Sequence, residues 1–143
     1  MTLPEIILPD WLGKIIGRLP ASPPRLVLVT ALNTMLRRGL LPAEMDYFNG
    51  RKFEIDVLDA GLKIRFSADT EKFLNQDFSG QPDLRLAANG IDFMRMIARE
   101  EDPDTLFFNR KLQIEGDTEL GLVTKNLLDG VDWAALKPFA RGG

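Results

Sequence analysis

Of the side chains that most often do chemistry, this sequence contains neither histidine nor cysteine. That double absence removes the commonest general base, the thiolate nucleophile, and the nitrogen and sulfur ligands of most zinc and iron-sulfur sites. It also excludes disulfides and fits a reducing cytoplasm. The three serines, Ser22, Ser67 and Ser79, lie in neither G-x-S-x-G nor S-x-x-K. The glycines form no G-x-G-x-x-G and no P-loop, so no cofactor cradle is encoded. Glu100, Glu101, Asp102 and Asp104 crowd one stretch, but without the alternating carboxylates, central glycine and distal glutamate of a calcium loop they read as a solvated turn. The expectation is a protein with no catalytic residues, no metal and no cofactor.

One charged residue stands out. Between residues 105 and 115 the side chains Leu106, Phe108, Leu112 and Ile114 share one side of a strand if alternation holds, and Arg110 shares it with them. A guanidinium aimed at a core needs a partner. Either an internal carboxylate or a β-bulge resolves it, or it meets the anionic head of a ligand at a cavity mouth.

The elements that position such groups follow from periodicity. Residues 25–38 run without a breaker until Gly39 and Pro42 and form a helix, with Leu28, Leu32, Met35 and Leu36 as its core stripe and Leu26, Val27 and Val29 as a second apolar surface. From Arg51 the period changes to two. Phe53, Ile55 and Val57 alternate with Lys52, Glu54 and Asp56, and after Asp59-Ala60-Gly61 the residues Leu62, Ile64 and Phe66 alternate with Lys63, Arg65 and Ser67. This is a β-hairpin with one apolar face and one charged, solvated face. Residues 71–78 and 83–88 read as two further strands, with Leu84 and Leu86 on the buried side. Ile91, Phe93, Met94, Met96 and Ile97 fit a short helix after Asn89-Gly90. Residues 105–115 read as a strand, and Asp117 and Glu119 suit the start of a last helix through Leu120, Val123, Leu127 and Leu128.

The order defines an α+β fold: a mostly antiparallel sheet of about five strands with helices packed on one face. With 143 residues, 45% of them hydrophobic, the chain suits one domain over 23–133, preceded by an amphipathic segment (1–22) and followed by a tail (134–143). In the first segment Trp11, Leu12, Ile15, Ile16 and Leu19 recur at helical spacing with Lys14 and Arg18 between them, either to close over the core or to lie in a membrane interface. A net charge of −3 gives no broad basic surface for nucleic acid. No secretory signal pattern opens the chain, and no apolar run approaches the ~20 residues that span a bilayer. The expected location is cytoplasmic, with peripheral contact at the inner membrane left open.

The run Phe107-Phe108-Asn109-Arg110, then Ile114-Glu115-Gly116-Asp117-Thr118-Glu119-Leu120-Gly121 and Lys125-Asn126-Leu127-Leu128-Asp129, resembles the closing segment of sterol carrier protein type 2-like domains. More narrowly it resembles bacterial accessory factors of oxygen-independent ubiquinone biosynthesis. The resemblance implies a sheet covered by helices around an apolar tunnel for a lipid tail. It also implies iron-sulfur hydroxylase partner proteins, to which the hydroxylation chemistry would belong, with a lipid or polyprenyl quinone precursor as the ligand. No catalytic motif comes with it. The residues expected to wall the tunnel are Phe53, Ile55, Ile64, Phe66, Leu84, Leu86, Phe93, Met94, Ile97, Phe108, Leu112, Leu120 and Val123, with Arg110 as a head-group contact. The rival expectation is a scaffold with a filled core that holds biosynthetic enzymes together.

Overall fold

The computed structural model describes residues 23–131. Helix α1 (Pro24–Arg37) begins with proline at its first position, where a missing N–H costs nothing, and ends at Gly39. There the Leu40 N–H donates to the Met35 carbonyl at 2.9 Å and the Gly39 N–H to the Leu36 carbonyl at 3.2 Å. This six-residue closure requires a left-handed residue, and Gly39 supplies it at φ 73°.

A turn of 3₁₀ helix at Met45–Tyr47 leads into strand β1 (Lys52–Val57), which pairs antiparallel with β2 (Leu62–Ala68) through a second turn at Leu58–Ala60. β2 pairs with the two-residue β3 (Phe73–Leu74), β1 pairs in parallel with β4 (Leu84–Ala88), and β4 pairs antiparallel with β5 (Leu112–Gly116). The strand order is β3-β2-β1-β4-β5. The expected α+β fold with a mostly antiparallel five-stranded sheet is therefore observed, with one parallel pair that hydrophobic alternation does not reveal.

Between β4 and β5 lie α2 (Gly90–Ile97) and α3 (Pro103–Phe108), and α4 (Thr118–Gly130) follows β5. Each is capped by a carboxylate. Asp59 of the hairpin turn accepts from the Gly90 N–H at 2.9 Å, Asp102 from Thr105 at 2.7 Å and Asp117 from Leu120 at 2.9 Å. These backbone donors hold the Asp102 and Asp117 carboxyls below the usual carboxylate range.

Two expectations about segments need correction. Residues 105–115 are not one strand: Asp102 and Pro103 start a helix, which ends at Phe108. β5 begins only at Leu112. An aspartate N-cap followed by proline outweighs the β propensity of Thr105, Phe107 and Phe108. Of residues 71–78 only Phe73 and Leu74 pair as a strand.

The register sorts side chains into rungs. On the helix-covered face Phe66, Phe53 and Leu84 stand abreast, then Ile64, Ile55, Leu86 and Ile114, then Leu62, Val57, Ala88 and Leu112. Gly116 closes the first of these rungs opposite Leu84, at φ 127°, where an added Cβ would lie 2.2 Å from the Asp83 carbonyl oxygen. The other face carries a rung of alternating charge, Arg65-Glu54-Arg85-Glu115. Here the expectation of a solvated face fails, because Glu54 and Asp56 are each only 4% exposed. Arg85 lies over them, 2.6 Å from Asp56, 3.3 Å from Glu54 and 2.9 Å from Glu115, and Arg65 reaches Glu54 at 2.9 Å. The Asp56 hydrogen bond raises the Arg85 pKa further above its ordinary value.

Candidate lipid site

Helix α1 packs against β2 and β3, while α3 and α4 pack against β5. The helices thus load the two flanks of the sheet more heavily than its middle. At the β3 flank Asn33 fixes α1, donating to the Phe73 carbonyl at 2.9 Å and accepting from the Phe73 N–H at 2.8 Å. Four phenyl rings, Phe48, Phe53, Phe66 and Phe73, fill the first rung with centroids 5.4 to 6.4 Å apart. That end of the interior is closed.

The next rung differs. Ile55 is on the central strand, flanked by Ile64 and Leu86 with Ile114 beyond, yet Ile55, Ile64 and Ile114 are only partly buried. Around the same core Leu28 and Leu32 of α1, Phe93 and Ile97 of α2, and Val123 and Leu127 of α4 are also only partly buried. Aliphatic side chains in the middle of a covered sheet face are ordinarily inaccessible, so among the described residues this rung is less completely covered than the first. Val123 and Leu127 also line a depression of about 290 Å³ with Phe48, Tyr47 and Pro42, which opens beside α4. Chemically the surface offers shape and apolar area. One polar group stands within the apolar stripe of α4: Thr124 is 7% exposed, and its hydroxyl has no hydrogen-bond partner among the described residues.

The structure distributes the residues expected to wall a tunnel among three settings. Phe53, Phe66, Leu84, Leu86, Leu112 and Leu120 are buried in the core. Ile55, Ile64, Phe93, Ile97 and Val123 are partly buried against it. Met94 is partly exposed and is not packed on that core, where Met96 takes the place assigned to it. Phe108 and Arg110 lie elsewhere. Phe108 ends α3 and Arg110 turns in the left-handed region at φ 62°, exposed, so neither faces the interior. Phe48, Phe73 and Met45 belong to the core and were missed, because they sit in segments without periodicity. Trp11, Lys14, Ile15, Ile16 and Arg18 lie outside the described residues. Among the described residues no His, Cys, Asp and Glu cluster could hold a metal, and no helix is long and apolar enough to cross a membrane.

An α+β domain whose helix-covered sheet face stays partly accessible at its middle rung suits the holding of lipid, and the chain belongs to the SCP-2 sterol transfer family, whose profile matches residues 32–129. It is 37% identical over 124 residues, 87% of this chain and 71% of the relative, to the ubiquinone biosynthesis accessory factor UbiT of Escherichia coli strain K12. The UbiT of Escherichia coli O157:H7 matches to the same extent. Among solved structures, a protein described as UbiJ-SCP2 ubiquinone synthesis protein superposes with a TM-score of 0.55 at 14% identity, over 75% of this chain and 97% of that one. The inverting sec-alkylsulfatase Pisa1 from Pseudomonas sp. matches over 80% of this chain but 18% of its own, with a TM-score of 0.52 at 15% identity. At such identities these two matches concern the fold alone.

Proposed function

We propose that this chain is a non-catalytic accessory factor of oxygen-independent ubiquinone biosynthesis. It holds a phospholipid or polyprenyl quinone precursor between sheet and helices and presents it to iron-sulfur hydroxylase partners at the cytoplasmic side of the inner membrane. The observation that carries the reading is the partly exposed rung Ile64-Ile55-Ile114 on the helix-covered face. The identity to a ubiquinone biosynthesis accessory factor supports a place in that pathway.

The physical logic is one of transfer. Each CH₂ of a lipid tail costs ~0.8 kcal/mol to expose to water, so a long chain does not leave a bilayer unaided. An apolar gap shields the tail as the bilayer does, and the head stays available to a soluble enzyme.

Native mass spectrometry of the purified full chain tests this, with Phe93→Asp as the variant and circular dichroism as the folding control. Stoichiometric lipid in the wild type, lost in a folded Phe93→Asp, is the expected result. Absence of lipid from both sinks the carrier reading. The closed phenylalanine end of the core would then favour the rival, a filled scaffold that assembles biosynthetic enzymes.

A further inference from the structure

β5 is the last strand of the sheet, with β4 as its only strand neighbour. In such a strand about half of the backbone N–H and C=O groups point away from the sheet. Among the described residues, those of 112–116 find no hydrogen-bond partner beyond β4. The side chains beside this edge are also uncovered. A depression of about 310 Å³ runs along Ile114, Glu115 and Gly116 and is bounded by Phe107 of α3 and Leu122 of α4, which are 37% and 55% exposed. Clustered large apolar side chains on a surface mark a contact site, whereas scattered ones do not.

The charges along the edge say which partner fits. Glu115 ends the rung Arg65-Glu54-Arg85-Glu115; Arg85 holds it at 2.9 Å, yet its side chain stays 60% exposed. Lys111, one residue before β5, is exposed and forms no ion pair among the described residues. Two copies of β5 laid antiparallel about a two-fold axis perpendicular to the sheet keep both helix layers on one side. Leu112 and Ile114 of both copies must face that side, so the axis passes through a residue of the strand. Centred on Leu112 it sets Glu115 opposite Asn109, and centred on Ile114 opposite Gln113. Centred on Gln113 it sets Glu115 of each copy opposite Lys111 of the other.

We propose that β5 is a self-association edge, which pairs with β5 of a second copy of this chain in the register centred on Gln113, so that two five-stranded sheets become one. Lys111 of each copy then extends the charged rung of the other, continuing its alternation of sign past Glu115. Cation and anion come from the same short segment, which makes the edge self-complementary as a two-fold contact requires. A partner of a single sign would satisfy only half of it. The apolar depressions of the two copies lie along the same seam. The proposal concerns assembly and does not rest on the lipid reading.

Sedimentation velocity of the full chain, from micromolar to near-millimolar concentration, tests it, with circular dichroism as the folding control. Wild type is expected to pass from monomer to dimer as concentration rises, and the amides of 112–116 to exchange more slowly in the dimer. Lys111→Glu raises the dissociation constant at least about tenfold, because both cross-strand pairs become repulsive, and Glu115→Lys does the same. An equimolar mixture of the two variants recovers the dimer, since each mixed pair again sets opposite charges together at both places. A wild type that stays monomeric throughout overturns the proposal. So do single variants that dimerise like wild type, or a mixture of folded variants that recovers nothing. If Glu115→Lys fails to fold, the shift produced by Lys111→Glu decides alone. Native mass spectrometry of the same samples keeps the lipid reading separate: Lys111→Glu is expected to lose the dimer and leave the bound lipid per chain unchanged.

Discussion

The two faces of the sheet invert the usual order. On the charged side Glu54 and Asp56 are buried under Arg65 and Arg85, while on the helix-covered side the central Ile55 is partly accessible. Burial of a carboxylate is tolerable only when it is paired, and here Arg65 and Arg85 come from neighbouring strands in register. The charged face is consequently complete in itself. The apolar face is complete at its phenylalanine end and unfinished at the isoleucine rung. A surface whose buried carboxylates are paired offers a ligand little, which favours the side with fewer functional groups for the binding proposed above.

The largest expected effect comes from breaking the charged face. Arg85→Ala leaves Glu54 and Asp56 facing each other with one arginine fewer, and urea unfolding should show a loss of about 3 kcal/mol. Lipid content per folded molecule should stay unchanged, since the other face is untouched. The apolar side separates into two responses. Leu84→Ala, in the closed rung, should also cost about 3 kcal/mol, whereas Ile55→Ala, in the accessible rung, should cost about 1 kcal/mol and reduce bound lipid. Equal costs for the two would remove the distinction between a closed and an open rung.

The smallest effect concerns the helix layer over that side. Asp102 and Asp117 have folded-state pKa values below those of the unfolded chain, so their contribution is full above the unfolded value and fades as pH falls through the folded one. The melting temperature should be level from neutral pH to about pH 5 and drop below about pH 4. Asp117→Asn, which keeps a capping oxygen without the charge, should flatten that drop when followed by circular dichroism.

The hairpin was legible in the sequence because Phe53, Ile55, Ile64 and Phe66 alternate with charges, and α1, α2 and α4 because their apolar residues recur at helical spacing. The segment after Pro103 misled for the same reason. Leu106, Phe108, Leu112 and Ile114 keep period two by accident across a helix, a left-handed turn and a strand. The Asp102-Pro103 pair was the available signal for a helix start. Arg110 consequently looked buried when it is exposed. Closure of the charged face was illegible because it needs the β1–β4 and β4–β5 registers, which bring Arg85 between Glu54 and Glu115 from distant parts of the chain. The phenylalanine cluster needed the same long-range information, since Phe48 and Phe73 lie in short, irregular stretches.

The Asn33 amide has a consequence at the sheet margin. In an antiparallel edge strand the N–H and C=O of one residue point the same way, and those of Phe73 are both consumed by Asn33. With only two residues in β3, this margin offers no free template on which another chain could add a strand. Along this border the fold is thereby protected against growth into fibrils.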